Sequence, residues 1–243
     1  MLIQVDKFKE VITKATINFS IESVQLNFTP KEIRSKMISF ASDSIALLKI
    51  KNEVLPGITD EIQFNFVDPN SMVMPYLNLI EGETIVKIGD EKVSLLTGNQ
   101  TSNLYFCAPS VVNTLSSDGP KMNLPLLHEV AVDEKFNTIF DKIKKVGPRF
   151  DKIYFGVDKG KFYIETTDKT NKFSNGLRIV LDDCSSTDVS LCFTYRNVFS
   201  LMSILSDNFK LYFYYVKENN LGMLKATNAD ESELYFLMSK KEG

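Results

Sequence analysis

Leu191 to Lys240 reads LCFTYRNVFSLMSILSDNFKLYFYYVKENNLGMLKATNADESELYFLMSK. A short apolar run leads into a helical period from Arg196 to Leu205, and aromatic-rich or alternating runs punctuated by Asn, Gly and Asp follow it. The last of these, Leu234-Tyr235-Phe236-Leu237-Met238, is as apolar as a buried strand, yet it runs without a turn into the charged Ser239-Lys240-Lys241-Glu242. The segment therefore spells one unit: a strand, a helix, then several strands.

That unit does not stand alone. Helical periods also run from Asp6 to Ala15, Ser71 to Ile80 and Asp133 to Val146, each preceded by a short strand and followed by several. Phe8, Val11, Ile12 and Ala15 form one apolar stripe at helical spacing; Phe136, Ile139, Phe140 and Ile143 form another. Strand candidates between the helices include SVQLNFT, SIALLKI, TIVKIGDEKVSLLT, KIYFGVDKGKFYIET and FKLYFYYVK. Strands outnumber helices by about three to one. The Lys159-Gly160 pair marks a hairpin turn inside the fourth of them. The predicted fold class is α+β, with one repeated unit used four times.

Between Pro109 and Leu127 the rhythm stops. PSVVNTLSSDGPKMNLPLL carries three prolines and a Ser-Ser-Asp-Gly turn signal without a clean period. It reads as an extended connector. This gives an N-terminal domain over residues 1–110, a connector over 111–127 and a C-terminal domain of similar build over 128–243.

With 243 residues, 44% of them hydrophobic and 24% charged, the chain can bury a sizeable core. No run of about 18 apolar residues occurs, and the opening MLIQVDKFKEVITK puts charges where a signal peptide is apolar. An intracellular protein without membrane contact is expected. Cys107, Cys184 and Cys192 are odd in number and lie outside any Cys-x-x-Cys spacing, which suits buried free thiols. The one histidine, His128, leaves little room for a zinc site or a histidine-based triad, since such sites usually take several imidazoles or thiolates brought together. Asp182-Asp183 and Asp230-Glu231 flank Ser-, Thr- and Asn-rich segments and read as solvated loops, since no base or nucleophile accompanies them. No phosphate-binding glycine motif is present. The chain is expected to be no enzyme and to need no metal or cofactor.

The charges are sorted by element although the net is only −3. On the third helix Lys142, Lys145 and Arg149 lie opposite the apolar stripe, flanked by Lys135 and Lys144; on the first, Lys7, Lys9 and Lys14 flank the stripe. The second helix offers Asn70, Ser71 and Asn78 outward, and the fourth offers Ser200 and Ser203 with Arg196. Acids gather at strand ends and turns, as in Asp60-Glu61, Asp90-Glu91 and Asp182-Asp183. One lysine-bearing helix is an ordinary solvated face. The same sorting on repeated helices points to a surface that faces a polyanion.

With its Tyr-x-Asn-x-Phe helix start, Tyr195 to Phe199, and its Leu-Tyr-Phe-Leu closing strand, Leu234 to Leu237, the terminal segment resembles the end of a DNA sliding clamp of the proliferating-cell-nuclear-antigen and phage processivity-factor type. The likeness extends over the whole chain in the order and spacing of elements, with SFASDSIALLKI from Ser39 where the family has a Ser-rich turn before its fourth strand. The resemblance implies the DNA-clamp fold: two similar domains of two repeats each, in subunits that close head to tail into a homotrimeric ring, helices inside and sheets outside, around double-stranded DNA. It implies a non-enzymatic processivity factor that tethers a DNA polymerase. Such a factor is opened by an ATP-dependent clamp loader and recruits other replication and repair proteins through short peptides, at sites of replication. Twelve helices, each about 10 Å wide, line a circle of roughly 120 Å and leave a hole on the order of 28 Å, which admits a duplex. The alternatives are a polymerase accessory subunit that forms no ring, or a structural or assembly protein on the same repeats. The basic faces on the helices favour the clamp over the latter.

Carried over residue by residue, the DNA-facing set is Lys7, Lys9, Lys14, Lys142, Lys145, Arg149 and Arg196. The family's partner-peptide pocket falls on Phe40, Ser44, Leu221, Phe236, Met238 and Ser239, with Leu124 and Leu126 from the connector. The plain alternative is that Phe40 and Phe236 are core aromatics. The tail beyond Met238 is expected to be free to pair with an incoming peptide backbone. For the ring seam, the resemblance points to the strand Leu104 to Ala108, through Leu104, Tyr105 and Phe106, and to the strand Gly176 to Leu181, through Leu177, Arg178 and Ile179. The chain departs from the family at Ser239, where proline is frequent, and at Pro75 and Asn78, where lysines are.

Overall fold

The stripe Phe8, Val11, Ile12 and Ala15 lies on a helix, α1 (Val5–Ala15), and all four side chains are buried. A short strand, β1 (Leu2–Ile3), precedes it, and β2 (Ser23–Phe28), β3 (Glu32–Ile38) and β4 (Ser44–Lys51) follow. This computed structural model describes residues 1–116, 124–171, 174–218 and 220–240, and the chain divides into two units, Met1–Pro120 and Lys121–Gly243.

The second repeat begins with β5 (Ile62–Val67) and ends with β6 (Thr84–Ile88), β7 (Lys92–Thr97) and β8 (Gln100–Tyr105). Between them the periodicity predicts one helix from Ser71 to Ile80, and the structure has two short ones instead, α2 (Pro69–Met72) and α3 (Met74–Asn78). Proline is the cause. Pro69 opens α2 behind Asp68, whose carboxylate accepts the Ser71 N–H at 3.3 Å. Pro75 has no N–H to give to a continuous ladder, so the chain breaks at Val73 and restarts.

In the other unit β9 (Leu126–Ala131) leads into α4 (Glu134–Val146), which Asp133 caps by accepting the Phe136 N–H at 2.8 Å. Then come β10 (Lys152–Asp158), β11 (Lys161–Thr166) and β12 (Leu177–Asp183). The last repeat is β13 (Val189–Thr194), α5 (Tyr195–Met202), β14 (Lys210–Val216), β15 (Leu221–Thr227) and β16 (Glu233–Met238). The expected hairpin turn between β10 and β11 is present, with Lys159 at φ 50° and Gly160 at φ 74° as a two-residue turn of that hand requires.

The repeats exchange their first strands. β1 pairs not with its own β2–β4 but with β6, Leu2 opposite Ile85, while β5 crosses back to β2, Ser23 opposite Val67. In the second unit β13 pairs with β10 and β9 with β14 in the same way. The strand orders are β1-β6-β7-β8 and β5-β2-β3-β4 in the first unit, β12-β11-β10-β13 and β16-β15-β14-β9 in the second. No repeat closes without its neighbour.

Aromatic packing explains what each unit is built around. Phe8 of α1 reaches into a cluster with Phe28, Phe64 and Phe66, the Phe28–Phe64 centroids lying 4.9 Å apart. In the second unit Phe155 packs on Phe213 at 4.7 Å and on Phe193 at 6.0 Å, and Phe162 on Phe213 at 5.0 Å. Removing one such ring to alanine costs about 3–5 kcal/mol, a large fraction of a domain's stability.

The expected connector, residues 111–127, is partly absorbed by the units. β2 and β3 pair only at Asn27–Arg34 and Phe28–Ile33 before they diverge. Residues 113–115 run beside β3 where they part: Thr114 bridges Met37, Ile38 donates to the Asn113 carbonyl at 3.3 Å, and Leu115 donates to Lys36 at 3.0 Å. At the other end Leu126 and Leu127 already belong to β9. The stretch 117–123 lies outside the described residues.

Candidate nucleic-acid interface and partner surfaces

Helix α4 buries Phe136, Phe140 and Ile143 and turns Lys142, Lys145 and, one 3₁₀ turn later, Arg149 to solvent. These three have no ion pair among the described residues. Lys144, between them, pairs with Asp141 at 3.0 Å, and Lys135 with Asp182 at 3.2 Å. Gly147 fixes where this face meets α5: a Cβ there would stand 2.0 Å from Tyr195 Cε2, so only glycine lets the helix end press against that ring. The Tyr195 N–H donates to the Asp151 carbonyl at 2.8 Å, and the next residue, Arg196, is exposed and likewise without an ion pair among the described residues. Lys142, Lys145, Arg149 and Arg196 are thus uncommitted cations on two adjoining elements. Together they give a local positive potential on a chain that is acidic overall.

The cations of α1 are different. Lys7 pairs with Glu10 at 3.5 Å and Glu53 at 3.6 Å, Lys9 with Asp6 at 3.4 Å and Lys14 with Glu10 at 3.1 Å. Burial works against it, yet Lys14 and Lys7 together hold the Glu10 carboxyl below its ordinary range. Exposed pairs of this kind contribute little and exchange readily for other anions, so α1 is a weaker electrostatic surface than α4.

Helices α2 and α3 carry no cation. Asn70, Ser71 and Asn78 are exposed as expected, but so are Met72, Tyr76 and Leu79, at 63%, 45% and 64%. On α5 the expected outward Ser200 is buried, and Phe199 is exposed in its place. An eight-residue helix has too few turns for periodicity to fix which side faces in.

The two strands expected at a subunit seam both lie at sheet edges. β8 ends its sheet and β12 ends another. The opposite edges are less open, because β1 has two residues and the Cys192 end of β13 is bridged to Lys240. Strand β8 stops at Tyr105, so Phe106, Cys107 and Ala108 are not in it. Leu104 is buried in the core and Phe106 stacks on Phe64 with centroids 5.1 Å apart, which leaves Tyr105, 64% exposed, as the outward side chain. On β12 Leu177 and Ile179 are half-buried and Val180 is 52% exposed. Arg178 is committed within its own sheet. It donates to Glu165 at 3.2 and 3.1 Å and to Asp158 at 2.8 Å, over the Tyr163 ring at 4.1 Å. Tyr163 can lie that way because residue 156 is glycine; a Cβ there would stand 2.8 Å from its hydroxyl. Asp182 and Asp183 close β12 as part of the strand, paired with Lys135 and Lys161, where loops were expected.

The residues expected to take partner peptides divide by burial. In the first unit Phe40 is 57% exposed, in the turn between β3 and β4, its N–H held by Glu22 at 3.1 Å. Ser44 is wholly buried and bonded to Asp43, so it belongs to the turn's own framework. In the second unit Leu126 is 50% exposed, Leu124, Leu221 and Met238 are half-buried, and Phe236, at 4%, is a core aromatic. The start of the tail is not free. Ser239 Oγ accepts the Gly222 N–H at 2.7 Å, its own N–H donates to the Gly222 carbonyl at 2.8 Å, and Lys240 donates to the Cys192 carbonyl at 2.7 Å. Residues 241–243 lie outside the described residues.

Cys184 and Cys192 are buried and Cys107 is half-buried, and none of the three is in a disulfide. No helix among the described residues is long and apolar enough to cross a membrane.

No protein-family model and no curated protein matches the sequence. Solved structures do match, over the whole chain. A. fulgidus PCNA, solved with the C-terminal region of FEN-1, superposes with a TM-score of 0.66 at 15% identity, covering 100% of both chains. The PCNA2–PCNA3 complex of Sulfolobus tokodaii gives 0.65 at 14% identity, over 99% of this chain and 98% of that one. The DNA polymerase III beta chain of Streptococcus pneumoniae gives 0.66 at 9% identity, over 100% of this chain but 64% of that one. At such identities the likeness is one of fold, and the fold shared over the whole of this chain is that of the DNA clamps.

Proposed function

We propose that this chain, whose fold is that of the DNA sliding clamps, is a sliding clamp itself: a homotrimeric ring that encircles duplex DNA and tethers a DNA polymerase as its processivity factor. The observation that carries the reading is the match to a clamp chain over 100% of both chains. The surfaces agree with it. A clamp needs weak, sequence-blind phosphate contact, because tight contact would hinder sliding, and four uncommitted cations on an acidic chain supply that. It also needs two open strand edges to close a ring, and β8 and β12 each end a sheet with six and seven residues.

In this reading the domains are the 1–110 and 128–243 halves, an ATP-dependent loader opens the ring, and peptide-bearing replication and repair proteins dock on its surface. Of the residues expected to take them, Phe40 on one unit, and Leu124, Leu126, Leu221 and Met238 on the other, are the apolar groups left accessible. The deciding experiment is solution mass by light scattering. A mass three times that of the chain is the expected result, and a monomer at micromolar concentration would favour a polymerase accessory subunit that forms no ring.

A further inference from the structure

Phe199 is exposed on a helix whose neighbouring apolar groups, Val198 and Leu201, are fully buried. Its ring stacks on Tyr195 with centroids 6.0 Å apart, and Lys144 Nζ lies 6.0 Å from its centre. Arg196 is one turn earlier on the same helix. Gly147, pressed against Tyr195, brings the Lys144 to Arg149 segment against α5, so a cation of one element, Lys144, and one of the other, Arg196, flank a ring that is 37% exposed.

A duplex uses only half of that arrangement. Its phosphates face outward and meet cations, but its base faces are stacked on each other and offer nothing to a phenyl ring. An unpaired strand offers both, a phosphate and an open base face within one nucleotide. We propose that this patch binds single-stranded DNA, with Lys145, Arg149 and Arg196 on the phosphates and a base stacked on Phe199. The proposal rests on the reading that α4 and α5 face DNA. It adds to the duplex track a site for the unpaired strand at a primer–template junction.

The test is fluorescence anisotropy with the full chain against three labelled probes: an oligo-dT, an abasic oligomer of equal length and a blunt duplex. Wild type should prefer oligo-dT over the abasic strand by about fivefold or more, the effect of stacking one base on an aromatic ring. Phe199→Leu, which keeps an apolar side chain against Tyr195, should bring the two within about twofold of each other and leave duplex affinity unchanged, while Phe199→Trp restores the preference. Equal affinity of wild type for oligo-dT and abasic strand overturns the proposal, as does a preference that survives in Phe199→Leu. If duplex binding is intact in those cases, only the stacking site is refuted. If no probe binds, the DNA track itself is wrong.

Discussion

His128 shows how one side chain links packing to pH. It lies against Phe162, centroids 4.3 Å apart, with 15% of its side chain exposed. Its Nε2 is 3.8 Å from Asp182 Oδ2 and has no hydrogen-bond partner among the described residues. Burial pushes its pKa below the ordinary value, against the pull of Asp182 and Glu129. The neutral ring is therefore the native form. In the unfolded chain the ring takes its proton near pH 6.5, so below that value the unfolded state binds more protons than the folded one. The contribution is whole above about pH 6.5 and is lost as pH falls from there through the folded value. His128→Phe should keep the stacking and flatten the difference in urea-derived stability between about pH 7 and pH 5. An unchanged slope would show that the carboxylates alone set the acid sensitivity. Nothing in the sequence separates this buried ring from an exposed one, because its burial depends on strands distant along the chain.

At the scale of elements, α4 carries the sharpest expectation. Replacing Lys142, Lys145 and Arg149 with alanine should leave the oligomer unchanged and lower the slope of log K against log salt for duplex binding by about 0.9 for each phosphate no longer neutralised. The same treatment of Lys7, Lys9 and Lys14 should change it less, since Asp6, Glu10 and Glu53 already neutralise them. An unaltered slope in the α4 variant would return its cations to ordinary solvated surface. Helices and strands were legible because period and turn chemistry are local: the stripes of α1 and α4, and the Lys159-Gly160 turn, need no distant partner. The break between α2 and α3 was legible too, in Pro69 and Pro75, and the helical spacing of the apolar residues around them masked it. Leu104, Ser44 and Phe236, expected at surfaces, lie inside, and Phe106 is half-buried against Phe64, because which face of a strand is covered is decided by non-local packing. The ion pairs of α1 were half-visible: Lys14 and Glu10 are one turn apart, but Glu53 comes from after β4.

For the whole molecule, the proposed ring stands or falls on its seam. Val180 is exposed on the β12 edge, and a charged side chain on an edge strand opposes pairing with a second chain. If the chain forms the proposed trimer, Val180→Lys should convert it to monomer in sedimentation while the thermal melt stays cooperative; a trimer that survives would move the seam to another edge. The exchange of first strands carries a separate consequence, for synthesis. Leu2 has to wait for Ile85, and Ser23 for Val67, so pairings near the start of the chain depend on residues made much later. A nascent chain released as far as β4 has β2 uncovered on one side and β1 with no partner strand. Folding of the first unit should therefore be delayed until β6 has left the ribosome, and should be slow for its size, as non-local strand pairing makes it. A chaperone that shields open strand edges would have its longest opportunity in that interval.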